Sequence, residues 1–270
     1  MLSGAAPQCS EPRACQPRHV MPVPGGPTSA ACRVEALLRA GSKCVAVGRN
    51  YAAHARELGN APPSAPFFFF KPRSSYTWTS VEVPPGIEEL HHEVELGVVV
   101  GRRMRDVAPE RAMEHVAGYF AAVDVTARCV QARAKAKGLP WSAAKGYDTF
   151  CAISPCVPRR AHAHTHRAQG QAQGAQSSDV ADGDVDGLEL WLEVDGEQRQ
   201  RGTCAAMTWK VPELLAHISS ICTLEEGDTV LTGTPEGVGP MRAGQKVRFG
   251  IEGLVEASVD VVKRPTPLHA

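Results

Sequence analysis

The sequence lacks an excess of charge of either sign, and it lacks a long apolar run. Its 270 residues include 29 Lys and Arg against 29 Asp and Glu, so the formal net charge at pH 7 is zero. Nothing in that balance favours nucleic acid or an acidic membrane surface as a partner. No apolar run approaches the roughly 20 residues that cross a bilayer. The aromatic block Phe67–Phe70 leads into Lys71 and Pro72 and predicts a buried strand.

Paired cysteines and nucleotide-binding loops are also missing. The nine cysteines are an odd number and form no Cys-x-x-Cys motif, so zinc and redox motifs are unsupported. Free thiols in a reducing compartment are the interpretation we adopt, and we do not expect a secreted protein. The sequence also has no phosphate loop ending in Gly-Lys-Ser/Thr and no Gly-x-Ser-x-Gly nucleophile elbow.

Two segments are poor in the residues that build a core. Residues 1–40 are rich in Pro, Ala, Gly, Ser and Arg, which predicts a disordered extension or an organellar transit peptide. Residues 161–187 are of low complexity and predict a surface insertion. Three histidines within it, at 162, 164 and 166, could hold a transition metal loosely or simply be solvated. The folded domain is therefore expected over residues 41–265.

Within that range the pattern predicts an α+β, β-rich fold. Strands are expected at residues 43–48, 66–70, 93–100, 119–125 and 188–194, and a strand-rich end at 228–262. Helices are expected at 50–58, at 126–137 with Thr126 as N-cap, and at 211–221. Asp195 and Gly196 predict a hairpin turn.

Two carboxylates stand two residues apart at the start of an apolar strand. Glu93 and Glu95 would point to the same face of that strand, where they repel each other and lose hydration. Asp124, inside another apolar strand, is costly to bury unless it is hydrogen-bonded or bound to metal. Three carboxylates without a nearby cysteine favour a hard cation, Mg²⁺ with Mn²⁺ as a substitute. The alternative is that the two glutamates are simply exposed on a sheet face.

His54 and Glu57 form a second cluster. They lie three residues apart on the short predicted helix and can share one face of it. A carboxylate beside an imidazole orients the ring and raises its basicity, which suits a general base acting on water. A His and a Glu on an exposed helix would give the same pattern.

Lys145 and a glycine-rich loop complete the candidate residues. Lys145 stands in a mostly apolar setting and could pair with a substrate carboxylate or oxyanion, or be a surface lysine with a buried stem. The loop at 231–239 has glycines that allow a ligand close to the backbone. A plain turn between strands is the alternative there.

Taken together, these segments resemble the fumarylacetoacetate hydrolase family, in particular its acylpyruvase and oxaloacetate decarboxylase branch. The resemblance covers about residues 41–263 without the insertion. Its matching stretches are Val47–His54, Phe70–Pro72, His91–Val99, Asp124–Arg128, Lys137–Trp141, Lys145, Leu224–Asp228 and Thr232–Gly239. Two positions depart from the branch pattern: Cys129 stands where an acid is common, and Glu236 stands where a lysine is usual.

The resemblance implies a mixed β-sandwich roll with short flanking helices, assembled as a homodimer. It implies Mg²⁺ held by the carboxylates of Glu93, Glu95 and Asp124. His54 and Glu57 would lie on a lid above the metal, with Lys145 as a further catalytic residue. The residues expected near the substrate, a small 2-oxo carboxylate, are Arg49, Gln131, Lys145 and Thr234.

The implied activity is Mg²⁺-dependent cleavage of a carbon–carbon bond in acylpyruvates such as acetylpyruvate and fumarylpyruvate. Decarboxylation of oxaloacetate through the same pyruvate enolate is implied as well. Three alternatives stay open: an oxaloacetate keto–enol tautomerase, a non-catalytic metal-binding homologue, and a hydroxymuconate-type decarboxylase. The expected location is mitochondrial or cytosolic.

Overall fold

The computed structural model describes residues 29–57, 59, 63–160 and 179–265. Its helices are α1 (Ala30–Ala40), α2 (Ala52–Glu57), α3 (Pro109–Ala112), α4 (Arg128–Ala136), α5 (Ser142–Lys145) and α6 (Val211–Ile221). Its first strands are β1 (Cys44–Gly48), β2 (Phe67–Lys71), β3 (Tyr76–Thr77), β4 (Ser80–Val83), β5 (Leu90–His92), β6 (Val94–Val100), β7 (Val116–Asp124), β8 (Thr126–Ala127) and β9 (Cys151–Ile153). The others are β10 (Val157–Arg160), β11 (Val180–Ala181), β12 (Glu189–Val194), β13 (Glu197–Thr203), β14 (Thr229–Leu231), β15 (Gly239–Met241), β16 (Lys246–Ile251) and β17 (Val255–Lys263).

The strands of the described residues form three sheets. The largest has the order β11-β10-β7-β6-β14-β1-β2, with β9 paired to β7 and β3 paired to β9. A second sheet has the order β13-β12-β16-β17-β4, and a small third one the order β15-β5-β8. Core residues of the large sheet and of the second sheet pack into one shared cluster, which includes Val98, Leu190 and Phe249. The predicted α+β, β-rich class with short flanking helices is confirmed.

The centre of the large sheet places two of the predicted site residues beside each other. β6 and β7 are antiparallel, and all seven residues of β6 are buried, as the continuous apolar run requires of a central strand. Val94 pairs with Val123, and the Asp124 N–H donates to the Glu93 carbonyl at 2.8 Å. This register brings the end of β7 against the start of β6.

The start of the described part of the chain differs from the sequence-based prediction. Residues 1–28 lie outside the described residues, but residues 30–40, predicted as part of a disordered extension or transit peptide, form α1. The Ser29 hydroxyl accepts the Cys32 N–H and caps this helix, and Val34 and Leu38 are buried on one face of it. The proline-rich composition upstream masked this i, i+4 apolar spacing.

Two further differences concern residues 126–137 and 161–187. Thr126 belongs to β8 and is not an N-cap, so α4 begins at Arg128. Residues 161–178 lie outside the described residues. The part of the predicted insertion that follows forms β11 and a 3₁₀ helix, in which Val180 and Val185 are buried. The second half of that range therefore packs on the core.

Within the described residues, no helix has the length and apolar character that a membrane span needs. The seven described cysteines are all free, namely Cys32, Cys44, Cys129, Cys151, Cys156, Cys204 and Cys222.

We expect Gly227→Ala to destabilise the fold strongly because Gly227 faces the last turn of α1. Its φ is +84°, and a Cβ there would lie 2.2 Å from the Leu37 carbonyl oxygen. Gly253 has a similar φ, +69°, with nothing within 4 Å of a Cβ. Gly253→Ala should lower the free energy of unfolding only by the backbone strain of about 1–2 kcal/mol. Gly227→Ala should lower it by about twice that or more. Urea unfolding of both variants measures the difference, and equal losses would contradict this account.

Candidate active site

The three predicted metal-binding carboxylates converge in the interior. Glu93 lies between β5 and β6, Glu95 lies in β6, and Asp124 ends β7. One oxygen from each lies within 4.8 Å of the other two. The exposed fractions of these residues are 6%, 1% and 1%. The alternative of glutamates exposed on a sheet face is therefore wrong.

Three cations neutralise two of these carboxylates. Lys145 Nζ donates to Glu93 Oε2 at 2.8 Å and to Asp124 Oδ2 at 2.7 Å. Lys71 Nζ donates to Asp124 Oδ1 at 2.7 Å, and Arg128 donates to Glu93 Oε1. Burial raises the pKa of Glu93, but Lys145 and Arg128 outweigh it and hold that pKa well below its usual range. Burial lowers the pKa of Lys145, and the two carboxylates more than reverse this and raise it.

Glu95 has a different environment. It accepts the Gly233 N–H at 2.7 Å and forms no ion pair with any basic side chain among the described residues. Burial, then Asp124 and Glu93, raise the pKa of Glu95 well above its usual range. A buried carboxylate that faces two others needs a positive charge to ionise. This set of carboxylate oxygens therefore fits a hard divalent cation.

The His54–Glu57 pair lies at the same cavity, on α2. His54 is 5% exposed, and its Nδ1 lies 3.1 Å from Glu57 Oε2. Glu57 Oε1 accepts the Gly237 N–H at 3.1 Å, which joins α2 to the glycine-rich loop. The His54 side chain is thus buried, unlike that of a histidine on a solvated helix face. When Glu57 is ionised, its carboxylate accepts a hydrogen bond from Nδ1–H, and this tautomer leaves His54 Nε2 as the basic nitrogen.

One cavity brings together nearly all of the residues that the sequence singled out. It is lined by Arg49, His54, Glu93, Glu95, Asp124, Gln131, Lys145 and Thr234, with Arg128 and Lys135 as further polar groups. Its apolar walls include Val47, Phe69 and Trp141. Glu57 is not in this lining, but it contacts His54, which is. The predicted roles of these residues stay predictions, and their proximity is what such roles require.

Sequence reasoning gave no role to Lys71, Arg128 or Gln200. Gln200 Oε1 accepts from His92 Nδ1 at 2.9 Å and from the Val94 N–H at 3.0 Å. Its Nε2 donates to Thr234 Oγ1 at 2.8 Å, so one amide links the start of β6 to the glycine-rich loop. The sequence position of Lys71 could have indicated its role, since a lysine that ends an apolar strand needs a buried partner for its charge. The position of Gln200 gave no such indication, because β13 is otherwise polar.

The two positions that depart from the family pattern lie at the edge of this site. Cys129 is partly exposed on α4, directly after Arg128. Glu236 is exposed and follows Thr234 and Pro235 in the glycine-rich loop. Neither is among the residues that line the cavity.

Comparison with known families gives the site its context. Residues 43–262 match the family model of the fumarylacetoacetate (FAA) hydrolase C-terminal domain. The chain belongs to the fumarylacetoacetate hydrolase family. The FAHD1 mitochondrial oxaloacetate tautomerase of Arabidopsis thaliana is 49% identical over 241 residues, which cover 88% of this chain and 99% of that protein. The mitochondrial oxaloacetate decarboxylase of Dictyostelium discoideum is 46% identical, covering 83% of this chain and 95% of that protein.

Solved structures of the family share the fold. The fumarylpyruvate hydrolase of Pseudomonas aeruginosa, in complex with Mn²⁺ and pyruvate, has a TM-score of 0.70 and 35% identity, covering 82% of this chain and 90% of that one. The 5-carboxymethyl-2-hydroxymuconate delta-isomerase of Mycobacterium smegmatis has a TM-score of 0.67 and 36% identity, covering 84% and 80%. The chain is an enzyme of this fumarylacetoacetate hydrolase family.

Proposed function

We propose that this enzyme interconverts the keto and enol forms of oxaloacetate with a divalent cation. The observation that carries the proposal is the buried cluster of Glu93, Glu95 and Asp124 in the same cavity as the His54–Glu57 pair. Such a site stabilises negative charge on a 2-oxo acid and holds a base for the adjacent carbon. Relatives named as oxaloacetate tautomerases support the choice of substrate, at 49% and 48% identity.

The cation is Mg²⁺ in this proposal, with Mn²⁺ as a substitute, because all three donors are carboxylates. When bound, it supplies Lewis acidity at the 2-oxo and carboxylate oxygens of the substrate. The Mn²⁺ in the complex of the Pseudomonas relative supports an ion of this kind.

The protein's own groups perform the proton transfer. His54 Nε2 takes a proton from C3 of the keto form, while Glu57 holds the ring and stabilises the imidazolium. Negative charge then builds up on the 2-oxo oxygen, near the ammonium group of Lys145. The His54 imidazolium returns its proton to that oxygen, directly or through water, which gives the enol and restores the neutral imidazole. The reverse sequence returns the keto form. Arg49, Gln131 and Thr234 orient the substrate from the cavity wall.

A second candidate is carbon–carbon bond cleavage, in which acylpyruvates are hydrolysed or oxaloacetate loses carbon dioxide. The His54–Glu57 pair favours it, since a buried imidazole with a fixed carboxylate can deprotonate water. That water would attack the distal carbonyl of acetylpyruvate or fumarylpyruvate, and pyruvate would leave. The names of the Dictyostelium decarboxylase and the Pseudomonas hydrolase agree with this chemistry.

One assay separates the two candidates. Purified enzyme with Mg²⁺ is given enol-oxaloacetate, and the ultraviolet signal of the enol is followed beside enzymatic detection of pyruvate. We expect loss of the enol signal well in excess of pyruvate release, and a lower rate on acetylpyruvate and fumarylpyruvate. Pyruvate release that matches enol loss would favour cleavage. No turnover with Mg²⁺ or Mn²⁺ would contradict both and favour a non-catalytic metal-binding protein.

We also propose a mitochondrial location and a homodimer. The mitochondrial names of the Arabidopsis, rice and Dictyostelium relatives support the location. Fractionation of cells tests the compartment, with the cytosol as the alternative, and light scattering of the purified protein tests the assembly.

A further inference from the structure

The cations around the cavity fall into two groups. Lys71, Lys145 and Arg128 are each ion-paired with Asp124 or Glu93, at distances of 2.5–2.8 Å. Three positive charges thus stand against the three carboxylates of the cluster. A divalent cation there would leave the site with an excess of positive charge, which suits a substrate with more than one negative charge.

Arg49 and Lys135 make up the second group. Both line the cavity, and within the described part of the chain neither has an ion pair with an acidic side chain. Aromatic rings hold them instead. The Arg49 guanidinium lies 5.5 Å from the centroid of Phe67, and Lys135 Nζ lies 5.2 Å from that of Trp141. The two rings touch edge to face with centroids 5.7 Å apart, so both cations lie on one continuous aromatic wall.

The position of Lys135 follows from α4. Arg128, Gln131 and Lys135 are spaced i, i+3 and i+7, so they share the helix face that turns toward the cavity. Partial burial of its ammonium group lowers the pKa of Lys135, and Arg49 and then Arg128 lower it further. These cations therefore crowd one another, and a bound anion would relieve their repulsion.

We propose that Lys135, beside Arg49, binds the second carboxylate of the substrate and so selects 2-oxo dicarboxylates over 2-oxo monocarboxylates. The inference rests on the proposed function, in which the 2-oxo acid end of the substrate faces the carboxylate cluster. A substrate that reaches from the cluster toward α4 meets Lys135 with its far end. Pyruvate, which has a single carboxylate, gains nothing from this contact.

The test uses Lys135→Met, which removes the charge and keeps an unbranched side chain against Trp141. In the Mg²⁺-dependent oxaloacetate assay we expect the KM to rise about tenfold. The inhibition constant of pyruvate should stay within about twofold of the wild-type value. Lys135→Arg should restore the KM. Lys137→Met is the matched control, because Lys137 is exposed at the C-cap of the same helix and does not line the cavity.

The outcomes distinguish a failure of the dicarboxylate inference from a failure of the proposed function. Suppose that the wild type turns over oxaloacetate. If Lys135→Met leaves the KM for oxaloacetate unchanged, or weakens pyruvate binding by the same factor as it raises that KM, the dicarboxylate inference is wrong and the proposed function stands. If the wild type does not act on oxaloacetate with Mg²⁺, the proposed function and this inference fall together. Salt gives a second readout: the wild-type KM should rise more steeply with ionic strength than that of Lys135→Met.

Discussion

Replacement of Glu95 by Gln is expected to lower the affinity for Mg²⁺ by at least about 100-fold, and turnover of oxaloacetate by a similar factor or more. Glu95 is the carboxylate of the cluster that no basic side chain of the described residues pairs with directly. Of the three carboxylates, Glu95 therefore depends most on the cation to stabilise its negative charge. The amide keeps the shape of the side chain and an oxygen that can still accept the Gly233 N–H.

The same substitution should leave the metal-free protein at least as stable as the wild type. Glu93 and Asp124 repel a charged Glu95, and a neutral amide removes that repulsion. A metal ligand that also held the fold together would instead destabilise the protein when replaced. The pair of results, metal affinity lost and stability kept, is therefore specific to a site built for a cation.

Thermal unfolding with and without Mg²⁺ measures both quantities. A cation at about 100 times its dissociation constant should stabilise the wild type by about 2.7 kcal/mol, and Glu95→Gln should lose that gain. Glu35→Gln is a matched control, since Glu35 is a buried carboxylate on α1, paired with Arg39 and remote in sequence from the cluster. An undiminished stabilisation of Glu95→Gln by Mg²⁺ would show that the cation binds elsewhere.

The carboxylate cluster could be predicted because its signals are local. The spacing of Glu93 and Glu95 follows from the two-residue period of a strand, and Asp124 stands out in an apolar run. The bounds of β1 and α6 and the Asp195-Gly196 turn follow equally local rules. Both turn residues adopt positive φ, as the predicted tight hairpin requires.

The partners of the cluster could not be predicted in this way because they depend on tertiary register. Lys71 reaches Asp124 only because β2 ends beside α5, whose Lys145 carbonyl also accepts from Lys71 Nζ. Gln200 comes from a different sheet, 106 residues beyond Val94. Residue type and spacing do not encode such distances. Sequence reasoning therefore found the three anions of the site but missed two of the three cations that balance them, Lys71 and Arg128.

Replacement of His54 by Asn should lower kcat for enol–keto conversion by about 10²–10⁴-fold, with Mg²⁺ affinity unchanged. The amide can still bond to Glu57, but it has no basic nitrogen to take the C3 proton. Glu57→Gln should give a smaller loss, since it keeps the imidazole and removes the charge that orients it and stabilises its protonated form. His217→Asn on α6 is the control and should leave kcat unchanged.

The ratio of these losses between the two candidate reactions identifies what His54 does. If it removes the C3 proton, His54→Asn should impair enol–keto conversion, while metal-assisted loss of carbon dioxide, which needs no base, persists. If it activates water, hydrolysis of acetylpyruvate should fall by the same 10²–10⁴-fold and enol–keto conversion should be spared. Retention of both activities would show that the His54–Glu57 pair holds α2 against the Gly237 loop and takes no part in proton transfer.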